Sequence, residues 1–401
     1  MSMTKSAFLT LALCTACSAY DRPDNLEPVA EGRAYQAQWR EPDVSRSEAD
    51  FLISATMNAE SCLPLGGHDG RGKGSAIAAA ALRDERLTRN DLVDVRVGDD
   101  ETFNGNYVIS RDGTLKLPFL SPIRAQGRST SQIEADIVAQ LLSKDFYTEP
   151  PRVSVRAADF ASVTVAVSGA VFEPQAVEIG GVSGDRLDTR RQEALGASTE
   201  ARNLSAALRA TGGVRPDADI SAVQVRRGGT LYRLDMRGVF EGKDDTDIML
   251  LTGDEVFVPS RQCFQDDLMR PSPISPPGVS LYLSNLTQPA TNNAASAIGQ
   301  TVREVPYGTR YMQAVIDANC VGGPRSTSAD RSAVLFTRNP VTGVSAVIER
   351  DIENLLRRAD RDDYDPYLLP GDALACYDST VTNIAEIARV LGIVSVVTLL
   401  R

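Results

Sequence analysis

The sequence predicts an α+β chain of several small modules in series, closed by an apolar C-terminal helix. Three observations carry that reading. The chain is too long for one compact domain, short alternating strands are interrupted by single capped helices, and one order of elements occurs twice. At 401 residues, two to four modules is the natural division. With 42% hydrophobic and 24% charged residues the composition suits globular modules and excludes a polytopic membrane protein. A net charge of −11 argues against a nucleic-acid partner, which needs clustered Lys and Arg.

The N-terminus reads as an export signal. Lys5 supplies a positive start, and Ala7-Phe8-Leu9-Thr10-Leu11-Ala12-Leu13 is the apolar stretch. Thr15-Ala16-Cys17 then resembles a bacterial lipobox, with Cys17 as the acylated residue. Cys14 stands where an aliphatic residue is usual, and choosing it instead would place bulky Leu13 at the cleavage position. Plain cleavage near Ala19 is the alternative. With Cys17 on lipid and Cys14 removed, Cys62, Cys263, Cys320 and Cys376 remain, allowing two disulfides in three possible pairings. No two of them lie at C-x-x-C spacing and His68 is the single histidine, so no metal site is expected.

Residues 18–50 look like a polar tether, residues 51–62 are compatible with a short helix, and a glycine-dense loop precedes an Ala-rich helix from Ser75 to about Leu87. Leu92-Val93-Asp94-Val95-Arg96-Val97 alternates as a strand. Tyr107–Ser110 and Thr114–Leu117 flank an Arg-Asp-Gly turn, which predicts a hairpin. Ser129-x-x-Gln132 and Ser131-x-x-Glu134 are overlapping capping boxes for a helix whose apolar face is Ile133, Ile137, Val138, Leu141 and Leu142. Val153 and Val155, then Val163, Val165 and Val167, mark two further strands.

From residue 203 an order repeats. The first copy runs from helix Leu204–Ala210 through Gly212-Gly213, strand Val223–Arg226 and Leu250-Leu251-Thr252-Gly253-Asp254 to strand Val256–Pro259. The second runs from Ala314–Ala318 through Gly322-Gly323, strand Ala333–Phe336 and Leu368-Leu369-Pro370-Gly371-Asp372 to Ala373–Cys376. A Pro/Ser-rich linker, Pro271–Pro277, lies between them. Residues 382–400 carry only Glu386 and Arg389 as charges; as a helix they span roughly 28 Å, against about 30 Å of bilayer core. Their polar positions drift around the helix, so the stripe is only partly amphipathic, and a helix packed on its own domain is the rival reading.

Several motifs suggest chemistry that their context does not support. Gly67-x-x-x-x-Gly72-Lys73 nearly spells a phosphate-binding loop, but Gly74 stands where Ser or Thr must hold magnesium. His68 sits among glycines with no nucleophile beside it. Asp244-Asp245 and Asp362-Asp363 are adjacent pairs, whereas glycosidic chemistry needs carboxylates facing each other across a cleft. Arg357, Arg358 and Arg361 interleave with acids as on a salt-bridged helix face.

The order of these elements is similar to the Wza-type outer-membrane polysaccharide-export family. Tyr107–Pro118, the capped helix and Pro151-Arg152-Val153-Ser154-Val155 resemble its export domain. Val165–Pro174 and both Gly-Gly and Gly-Asp pairs resemble its soluble-ligand-binding β-grasp modules, although Gln175 replaces the usual glycine after the proline. The resemblance implies small β-grasp-like modules in series, divided as a signal peptide at 1–16 and a lipid-anchored segment at 17–88. The export domain follows at 89–160, with a first β-grasp module at 161–262, a divergent second at 277–378 and a transmembrane helix at 379–401.

It further implies a non-enzymatic, cofactor-free conduit for capsular or exopolysaccharide. Such proteins assemble as homo-oligomeric rings, typically octamers, in the outer membrane. They work with an inner-membrane polysaccharide co-polymerase that is often a tyrosine kinase. Asn383, Glu386 and Arg389 would then face a pore, and the β-grasp fold would bring Cys320 near Cys376 as a disulfide, leaving Cys62 and Cys263 bonded or free. A periplasmic lipoprotein that binds polysaccharide without forming a pore is the alternative.

Overall fold

The computed structural model describes residues 36–39, 62–66, 82, 84–98, 100–180, 200–243, 247–285, 303–318, 320–321, 331–357 and 364–377. The chain divides into two units. One holds Leu63–Gln262 with Arg270–Pro277; the other holds Met1–Cys62, Cys263–Met269 and Gly278–Arg401.

In the first unit, alternation places Val93, Val95 and Val97 of β1 (Leu92–Val97) on one buried face. β1 lies between β2 (Asp100–Val108) and β5 (Val153–Asp159), both antiparallel to it. A two-stranded ribbon, β3 (Thr114–Leu115) with β4 (Ile123–Arg124), stands beside this sheet. α1 (Thr130–Ser143) closes the core with Ile133, Ile137 and Leu141, spaced four apart and fully buried. Of the two overlapping capping boxes the Ser129 one forms: its hydroxyl accepts from the Gln132 amide, and Gln132 Oε1 accepts from the Ser129 amide.

The predicted hairpin is corrected. Its turn forms, with the Ser110 amide bonded to Thr114 O at 2.9 Å and the Gly113 amide to Ser110 O at 2.8 Å. Its arms pair elsewhere: Tyr107 and Val108 oppose Val93 and Leu92, while Thr114 and Leu115 oppose Arg124 and Ile123. The longer edge of β1 satisfies more backbone groups than a two-residue ribbon does, so it takes the upstream arm.

The rest of this unit is a five-stranded sheet of β6 (Val163–Gly169), β7 (Gln175–Ile179), β8 (Val223–Arg227), β9 (Thr230–Leu234) and β10 (Glu255–Val258). The order is β7-β6-β10-β8-β9, with β6 and β10 parallel at the centre. Parallel neighbours need a crossover, and α2 (Leu204–Ala210) lies within it.

The second unit repeats that order. Its strands are β11 (Val279–Asn285), β12 (Arg303–Val305), β13 (Ser332–Arg338), β14 (Ser345–Asp351) and β15 (Ala373–Tyr377). They run β12-β11-β15-β13-β14, with β11 and β15 parallel. Its α-helices among the described residues are α3 (Tyr311–Asp317) and a short α4 (Ile352–Arg357). Both sheets therefore have the β-grasp arrangement. Both close on the same turn: Leu251 and Leu369 accept from the amides of Asp254 and Asp372 at 3.1 Å. Each aspartate carboxylate in turn accepts from the leucine amide, at 2.8 and 2.9 Å. Gly253 and Gly371 supply the φ of +88° and +89° that this turn requires.

Two expectations about the repeat change. Gly322-Gly323, read as the partner of Gly212-Gly213, lies outside the described residues, and the structural match to Gly213 is Cys320. The Cys320 amide bonds Val315 O at 3.1 Å, as the Gly213 amide bonds Leu208 O at 3.0 Å. The Pro/Ser-rich stretch is packed rather than an open linker. Ile274 and Ser275 are fully buried, and Val214 donates to Ile274 O at 2.9 Å.

Early sequence is also tied into the second unit. Gln38 donates to Tyr367 O at 2.7 Å, and Trp39 meets Phe264 edge-on at 5.3 Å. Cys62 and Cys263 form a disulfide. The expected helix at 379–401 lies outside the described residues. Among those described, no helix is long and apolar enough to cross a membrane.

Candidate functional site

The sheet β2-β1-β5 and α1 hold up one unusual loop, between β3 and β4. Pro118-Phe119-Leu120-Ser121-Pro122 places an aromatic residue between two prolines. Phe119 has φ +60°, a strained conformation for a bulky side chain that costs about 1–3 kcal/mol. Three contacts from around α1 hold it there. Lys144 Nζ donates to Phe119 O at 2.9 Å, and the Gln140 amide group both donates to Ser121 O at 3.2 Å and accepts from its N–H at 2.8 Å. The strain buys display: Phe119 is 70% exposed, with Phe146 tilted 6.4 Å away. Phe146 in turn rests edge-on against buried Phe103 at 5.5 Å. The site is an exposed aromatic prominence pinned by Lys144 and Gln140, suited to contact with a partner surface.

A buried ion pair joins this module to the first β-grasp sheet. Arg202, 1% exposed, donates from Nη1 to Asp91 Oδ1 at 2.8 Å. Its other bonds run to Leu250 O at 3.2 Å, to Ala161 O and Arg86 O at 3.3 Å, and its guanidinium lies 5.0 Å over the Phe160 ring. Asp91 also accepts from the amides of Thr88 at 2.7 Å and Ala161 at 3.0 Å. Burial pushes the Asp91 carboxyl above its ordinary range, while Arg202 and these amides pull it back. One guanidinium thus takes up five neighbouring groups from both modules, which fixes their relative orientation.

The sequence-predicted residues fall in different places. Cys320 and Cys376 are disulfide-bonded, linking the end of α3 to β15 with Cα atoms 5.9 Å apart. Arg357 reaches Glu353 at 3.8 Å on α4. Cys17, His68, Gly67–Lys73, Asp244-Asp245, Arg358, Arg361, Asp362-Asp363, Asn383, Glu386 and Arg389 lie outside the described residues. Among the described residues, no three His, Cys, Asp or Glu gather to hold a metal ion. Sequence reasoning missed Phe119, whose only signal was an apolar residue flanked by prolines. It also missed the Arg202 junction, whose partners lie 111 positions apart.

Residues 79–158, which span the three-stranded sheet, the ribbon and α1, match the family model for polysaccharide biosynthesis/export protein. No curated protein matches the chain. The match supports the resemblance to the Wza-type export family and carries a general role in polysaccharide export. The two β-grasp modules lie beyond the matched residues.

Proposed function

We propose that this chain, with its polysaccharide biosynthesis/export domain at residues 79–158, is the subunit of an oligomeric outer-membrane conduit that passes capsular or exopolysaccharide from the periplasm to the cell surface. The family match is the observation that carries the reading. The serial modules support it. An export domain locked to one β-grasp sheet is followed along the chain by a second sheet of the same order, as expected of modules in series. Two disulfides suit an oxidising compartment such as the periplasm.

The remaining steps rest on sequence and resemblance. Cys17 carries the lipid, and residues 379–401 add a second membrane attachment, which holds far better than a single acyl chain. One helix makes no pore, but a ring of them does, with Asn383, Glu386 and Arg389 inward and aliphatic residues toward lipid. The division into an export module and two β-grasp modules is kept as part of the proposal, with the export module beginning by residue 79, where the family match starts, Arg270–Pro277 grouped with the first sheet and Cys263–Met269 with the second. The partners are the polysaccharide itself, further copies of this chain and an inner-membrane co-polymerase. No catalytic step is assigned.

Deleting the gene tests the reading. The expected result is loss of surface polymer with accumulation inside the cell envelope, restored by the wild-type gene. Unchanged surface polymer would refute the assignment.

A further inference from the structure

The two β-grasp sheets share one order, so each position in the first has a counterpart in the second. The central row of their outward faces differs sharply. In the first sheet, register places Ala166, Glu255 and Arg226 side by side on β6, β10 and β8. Arg226 Nε lies 3.6 Å from the Glu255 carboxylate, an ordinary exposed ion pair. In the second sheet the same row is Tyr282, Ala373 and Phe336 on β11, β15 and β13. Tyr282 is 58% exposed and Phe336 40%. A solvated ion pair has been replaced by two bare rings with a methyl group between them.

The row's dimensions indicate what it fits. Tyr282 and Phe336 stand two strand spacings apart, roughly 10 Å at about 4.8 Å each. That separation is a disaccharide step along an extended glycan, so the two rings meet sugars on either side of an intervening one. The apolar faces of sugar rings stack on aromatic side chains, and hydroxyls at the ring edges need polar partners. Ser280 and Arg338, each two residues along on the same outward faces, are exposed and can supply them. A protein partner fits less well. At their fractional exposure the two rings offer on the order of 200 Å², taking about 200 Å² for a whole aromatic side chain. A stable protein interface needs about 800 Å² from each side.

We propose that Tyr282 and Phe336 form a sugar-stacking track on the second β-grasp module that holds two units of the exported polysaccharide, with Ala373 as the floor beneath the unit between them. This rests on the export reading and adds a binding site to it. The first module, with its ion pair in the same row, lacks such a track.

The test is affinity electrophoresis of the full-length protein in mild detergent, through gels containing polysaccharide purified from the cells that make it. Wild-type protein is expected to be retarded. Tyr282→Ser with Phe336→Ser should weaken binding at least about tenfold through loss of two stacked rings, with oligomeric mass and unfolding midpoint unchanged. A second variant, Phe336→Arg with Ala373→Glu, installs the first module's ion pair and should lose binding equally, while Tyr282→Phe should retain it. Equal retardation of wild type and both loss variants would overturn the proposal. So would a changed oligomeric mass with unaltered retardation, which would make the row a contact between copies, or a wild type that is not retarded at all. None of these outcomes bears on the gene-deletion result, which judges the export reading separately.

Discussion

Asp254 and Asp372 occupy the same turn in the two sheets, yet they differ in their counter-charge. Arg227 grips Asp254 through Nε at 3.0 Å and Nη2 at 2.6 Å. The residue opposite Asp372 at Arg227's position is Thr337, which brings no charge. Burial without a cation pushes the Asp372 carboxyl up to about 7, with Thr337 and the Leu369 amide acting against the shift. A folded-state value raised above the unfolded one means that folding takes up a proton. The stabilisation is then fully present below about pH 4 and disappears as pH rises through about 7. We expect Asp372→Asn, which keeps the acceptor for Leu369, to lessen the loss of stability between about pH 5 and pH 8. Denaturant midpoints across that range decide it, and identical pH slopes in wild type and variant would contradict it. The Leu-Leu-x-Gly-Asp motif was legible in the sequence because one turn geometry demands glycine and aspartate at fixed places. The missing cation was not, because Thr337 meets Asp372 only through strand register.

At the scale of elements, the joint between the export module and the first β-grasp sheet depends on Arg202. Removing one member of a buried pair leaves the other charge desolvated and unbalanced, at a cost of about 3–5 kcal/mol. Arg202→Met is expected to lose that much in chemical denaturation, and adding Asp91→Asn should recover part of it because the uncompensated charge is gone. A loss below about 0.5 kcal/mol, as for an ordinary surface change, would contradict this role. In the second sheet the Cys320–Cys376 bond closes a loop of 56 residues, worth about 4 kcal/mol on the chain-entropy view. What the sequence revealed at this scale follows from locality. α1, α2 and the strands β1, β6, β8 and β13 were readable from periodicity and caps. The pairing of β2 with β1 was not, since Tyr107 and Val108 read equally well as the arm of a local hairpin. Pro271–Pro277 looked like a linker by composition, yet Ile274 is fully buried. Composition reports what a segment tolerates, and packing decides where it goes.

As a whole molecule, this chain is proposed to build a ring that meets the outer membrane. The repeated sheet order was visible as a repeated order of motifs, because a β-grasp sheet uses a crossover helix and a closing Gly-Asp turn for distinct jobs, whereas the helix end that is Gly213 in the first sheet is Cys320 in the second. The ties between distant segments, such as Trp39 on Phe264 and Cys62 to Cys263, left no pattern in the sequence. The most direct measurement is the oligomeric mass of the purified full-length protein in mild detergent, with and without residues 380–401. The expected result is a large, detergent-dependent ring that disperses or turns detergent-independent on truncation. A monomer whose behaviour is indifferent to the deletion would contradict it and leave a tethered polysaccharide-binding lipoprotein instead.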